Sequence, residues 1–76
     1  MRDLQVELRA RAKACRFASQ NALTPEQREL FEILAVLWSV LADDCRAYGH
    51  CHVAEEIREV SALHAEALAA VRPTLH

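Results

Sequence analysis

With one glycine and two prolines in 76 residues, the chain has little from which to build tight turns. That scarcity excludes a turn-rich β protein and a collagen-like repeat, and a 53% share of hydrophobic residues excludes disorder. Cysteine occurs three times, so any disulfide framework leaves one thiol over, and no secretory leader precedes it. A stapled extracellular miniprotein is therefore not expected, and the chain is assigned to the cytoplasm. Long apolar runs are also missing: the longest, residues 30 to 42, is broken by Glu32 and Ser39 and falls short of the roughly 20 residues of a membrane span. The sequence holds no Ser/His/Asp arrangement, no glycine-rich phosphate loop and no H-E-x-x-H, so catalysis finds no support.

What remains is a small helical chain, rich in alanine, leucine, glutamate and arginine. At this length a single core supplies only roughly 3–5 kcal/mol, and such chains usually rely on a metal or a partner. The fold class is all-α, one domain over residues 1–76, with helices over about 2–20, 25–48 and 52–72. The clearest boundary is Leu23-Thr24-Pro25-Glu26-Gln27. Thr24 suits the N-cap, Pro25 the first helical position, Glu26 the positive end of the dipole and Gln27 the returning arm of a capping box. The same string resembles the LTxxQ signature of periplasmic helical chaperones over those five residues; it occurs once, without a long curved hairpin pattern, and no function is carried over. Gly49 ends the second helix as the one residue that enters a left-handed C′ conformation freely, and Pro73 ends the third.

The second helix has an unusually wide apolar arc, about 260° against the ~100° of a surface helix. Leu30, Leu34, Leu37 and Leu41 form one seam, with Phe31, Ala35, Trp38 and Ala42 to one side and Ile33, Val36 and Val40 to the other. The third helix carries a narrow seam of Val53, Ile57, Val60, His64, Ala67 and Val71, and the first a weaker stripe of Leu4, Leu8, Ala12, Cys15, Ala18 and Ala22. Two such neighbours leave Trp38, Phe31 or the Ile33/Val36/Val40 side partly wet in a monomer. The expectation is a homodimeric helical bundle in which the second helix packs on its symmetry mate through Phe31, Leu34, Leu37, Trp38 and Leu41. A tight three-helix monomer is the alternative.

Chemistry gathers in one stretch. Cys45, His50, Cys51 and His52 crowd the connection between the second and third helices, and these are ligand types that zinc or another transition metal takes. The spacing is not that of a zinc module, so the favoured reading has no cofactor, with a metal-binding or metal-sensing protein as the alternative. Cys45 and Cys51 also stand as a candidate disulfide or redox pair. His64 sits in the middle of an apolar seam, where a polar group fixes register or senses pH.

Charge is unevenly spread, with a net +3 over residues 1–20 and −5 over residues 21–76. Arg9, Arg11, Lys13 and Arg16 spread round the first helix instead of forming a stripe, so nucleic acid is not expected as a partner. The abundance of alanine, with arginine strongly preferred to lysine, suggests a bacterial or phage coding sequence. The functional expectation is a non-enzymatic interaction module or regulator, an accessory protein that docks a helix face onto another protein.

Overall fold

The computed structural model describes residues 3–71 as three α-helices, α1 (Leu4–Gln20), α2 (Pro25–Tyr48) and α3 (His50–Val71). No strand occurs among the described residues. Each boundary has a local cause. The Asp3 side chain accepts the Gln5 N–H at 3.0 Å, so Asp3 is the N-cap and α1 begins at Leu4. Thr24 Oγ1 accepts the Gln27 N–H at 3.1 Å with Pro25 in the first turn, as the sequence predicts.

The second connection is shorter than expected. Gly49, at φ +90°, donates its N–H to the Cys45 carbonyl at 2.9 Å, and its own carbonyl accepts the His52 N–H at 3.2 Å. One glycine thus closes α2 and opens α3, which begins at His50 and not at residue 52. The expected end of the third helix at residue 72 lies outside the described residues.

Helix α2 is the spine. At about 1.5 Å per residue its 24 residues span roughly 36 Å, most of the 43 Å long axis of the molecule. It packs against both α1 and α3. The largest fully buried side chains are Trp38 and Leu34 from α2, Leu8 and Cys15 from α1 and Val53 from α3, so all three helices share one core. In α1 the predicted stripe faces inward, with Leu8, Ala12 and Cys15 buried and Leu4 and Ala18 packed at the edge. In α3, Val53, Val60 and Ala67 are buried and Ile57 packs beside them; the Val71 side chain is outside the description.

This packing changes which part of α2 needs explaining. Trp38 is 0% exposed and Phe31 is buried, because α1 and α3 of the same chain enclose them. The flank that stays open is Ile33, Val36 and Val40, at 49%, 61% and 50% exposure.

Candidate interaction surface

The Cys/His connection does not converge. Cys45 turns into the core and is buried, whereas His50, Cys51 and His52 are exposed on the first turn of α3. The cause is geometric: successive residues of a helix point about 100° apart, so three neighbours cannot aim at one ion. Among the described residues, no group of three or more His, Cys, Asp or Glu side chains gathers to hold a metal. His52 instead lies against the Tyr48 ring, centroids 4.8 Å apart, and all three cysteines are free thiols.

The polar group that does sit among three helices is His64. Trp38 donates its Nε1–H to His64 Nδ1 at 3.3 Å, and His64 Nε2 lies 3.7 Å from Cys15 Sγ. An indole nitrogen can only donate, so Nδ1 is the acceptor and the neutral ring carries its proton on Nε2, directed at the sulfur. The Phe31 ring meets His64 edge-on at 6.4 Å. The Arg11 guanidinium lies 4.9 Å above the Trp38 ring, a cation–π contact, and Arg11 Nη1 reaches Ser61 Oγ at 3.4 Å. Burial, and then the Arg11 charge, hold the His64 pKa below its ordinary value of 6.5. Burial pushes the Cys15 thiol up from its ordinary 9.0, so the sulfur beside the imidazole remains protonated and enclosed. One residue of each helix therefore meets at this point, fixing their mutual register.

The basic residues of α1 are largely directed back at the chain. Arg9 Nη2 donates to Asp43 Oδ1 at 2.8 Å, Arg16 Nη1 reaches Ser39 Oγ at 3.5 Å, and Arg11 lies on Trp38. Lys13 stands exposed on the outer side of α1, where Val6 and Phe17 are also exposed.

Of the residues expected at an interface, Phe31, Leu34, Trp38 and Leu41 are buried inside the chain and Leu37 is half-buried. The first four belong to the core; Leu34 and Trp38 are fully enclosed, while Leu41 and Phe31 each line a surface groove with one edge. The accessible apolar surface lies beside them. Ile33, Val36 and Val40 follow a 3-4 spacing along one line of α2, and across a groove of about 340 Å³, Val40 faces Leu63 and Val60 of α3. The groove floor is Leu37, Val40, Leu41, Val60 and Leu63, and its rim carries Asp44, Glu56 and Glu59. Towards the start of α2 the line continues past Ile33 and Val36 to Glu29 and Glu32. The sequence wheel did separate this flank; what it lacked was the direction from which α1 and α3 arrive. No helix of the described residues is long and apolar enough to cross a membrane. No protein family, curated protein or solved structure matches the chain.

Proposed function

We propose that the protein is a non-enzymatic helical interaction module that docks the open face of α2 onto another protein chain. One observation carries this reading: Ile33, Val36 and Val40 are exposed in an unbroken line on a helix whose leucines, Phe31 and Trp38 are buried in the core or packed against it. Single exposed apolar side chains are ordinary, but a contiguous line continued by Leu63 across the groove is the kind of patch that marks an interface. The other uses weighed from the sequence gain less support. The Cys/His residues point apart, and three of the four basic side chains of α1 are engaged within the chain.

The symmetric pairing of α2 on α2 meets an electrostatic obstacle. Glu29 and Asp44 lie about 11 Å either side of the middle of the apolar line at 1.5 Å per residue, so an antiparallel two-fold pairing sets carboxylate against carboxylate. The parallel pairing sets Glu29 against Glu29. This repulsion disfavours the same face of a second copy as the occupant.

A photo-crosslinking residue at Val36, with a control at Arg58 on the opposite side of α3, tests the reading in the native host. A discrete adduct from position 36 and not from 58 supports docking. Identical patterns from both positions, or no adduct from either, would remove the proposal.

A further inference from the structure

Resting on the docking reading, we infer that the occupant of the α2/α3 groove is the outer face of α1 from a second copy, joined head to tail. Both halves of the contact are on the molecule. The groove is apolar along its floor: Glu29, Glu32, Asp44, Glu56 and Glu59 line it with no Lys or Arg on the α3 side, and on the α1 side of Val36 and Val40 the cation is Arg16, beside Ser39. None of these five carboxylates is ion-paired among the described residues. Arg28 and Arg46 lie about 80° from Val36 round α2, at 100° per residue, on the side towards α1, and Arg58 is on the far side of α3. The chain as a whole is only −2, so the one-signed edge arises from placement and not from composition.

The outer face of α1 is the complement. Val6 and Phe17 are 63% and 68% exposed, three turns apart, with Ala10 and Ala14 between them. Lys13 stands in the same stripe, and Arg9 and Arg16, which also contact Asp43 and Ser39 of their own chain, flank it along one edge. A helix with apolar residues in line and cations beside them is what a two-helix groove with an anionic edge accepts, and the 3-4 spacing of Ile33, Val36 and Val40 is the spacing on which a helix seats. Arg9 already holds Asp43 of its own chain, which aligns its guanidinium at the edge of the stripe and leaves about half the side chain open. The same arrangement accounts for two apolar faces with one contact, the back of α1 and the open flank of α2.

Such a contact is heterologous, so each copy retains one free face and assembly continues beyond two chains unless the rotation closes a ring. Light scattering with two face-specific variants tests it. Lys13→Glu/Phe17→Glu alters only the α1 face, and Val40→Arg/Glu59→Arg only the groove; all four side chains are exposed, and circular dichroism checks that each variant stays helical. Wild type should exceed 8.6 kDa and grow past two chains with concentration in the range of about 1 µM to 1 mM, more weakly at high salt. Each variant alone should remain one chain, and an equal mixture should stop at two, because one intact α1 face and one intact groove are left. A wild-type dimer unaffected by either variant overturns the inference in favour of some other symmetric contact. A wild-type monomer, or a mixture that does not re-associate, overturns it as well. In the case of a monomer, a crosslink from Val36 to a chain of different mass leaves the docking reading standing with a foreign occupant, and no crosslink removes both.

Discussion

The two long edges of α2 are built from the same kinds of residue and have different fates. Phe31, Ala35, Trp38 and Ala42 disappear beneath α1 and α3, whereas Ile33, Val36 and Val40, equally apolar, stay about half or more in water. Hydrophobicity alone does not separate them. What separates them is the supply of neighbours: a 76-residue chain has two other helices to offer, and two helices cover only part of a 260° arc. The covered edge gives the fold its stability, and the open edge is the surface proposed for docking.

The comparison breaks most visibly at Trp38. Trp38→Ala removes the largest buried side chain together with the donor that anchors His64. The expected loss is roughly 3–5 kcal/mol, close to the whole stability of a chain this small. Urea titration followed by circular dichroism measures it; a loss below about 1 kcal/mol would mean that the covered edge does not hold the fold together.

Acid should loosen the same edge next. The fold holds His64 below its ordinary value of 6.5, so as pH falls the unfolded chain takes up the proton first. This contribution to stability is complete above about pH 6.5 and is lost as pH drops below it towards the lowered folded value. Protonation also places an N–H on Nδ1, where it opposes the Trp38 N–H that the neutral ring accepts. Melting temperatures between pH 7.5 and 5 should fall for wild type and fall less for His64→Phe; parallel curves would assign the acid sensitivity elsewhere.

Smaller effects belong to the exposed side. Arg9→Ala breaks the ion pair with Asp43, both partners being about half exposed or more, and should cost less than about 1 kcal/mol, shrinking further in high salt. Val36→Asp and Val40→Asp should change stability by no more than about 0.5 kcal/mol, since these side chains contribute little to the core, while abolishing association. If either unfolds the chain, the open edge is structural after all.

Helix content and the wide apolar arc were readable because both are periodic: Thr24-Pro25 and Gly49 mark their boundaries by local chemistry that tertiary contacts do not override. The interface residues were not readable to the same depth. Phe31, Leu34, Trp38 and Leu41 stood out by size, and size marks a hot spot and a core residue alike. Choosing between them requires the crossing positions of α1 and α3, which sequence spacing does not contain. The Cys/His connection shows how little proximity in sequence says about convergence in space. His50, Cys51 and His52 are neighbours in sequence and diverge in space, whereas Cys15, Trp38 and His64, far apart in sequence, meet at one point.

The most direct test of the two-edge account is methyl NMR over a concentration series. The account predicts that Ile33, Val36, Val40 and Leu63 methyl signals shift together as the chain associates, with Val6 shifting on the opposite side of the contact, while Leu8, Leu34 and Val53 hold their positions. Shifts spread evenly over buried and exposed methyls, or an association that leaves Ile33, Val36 and Val40 unmoved, would contradict it.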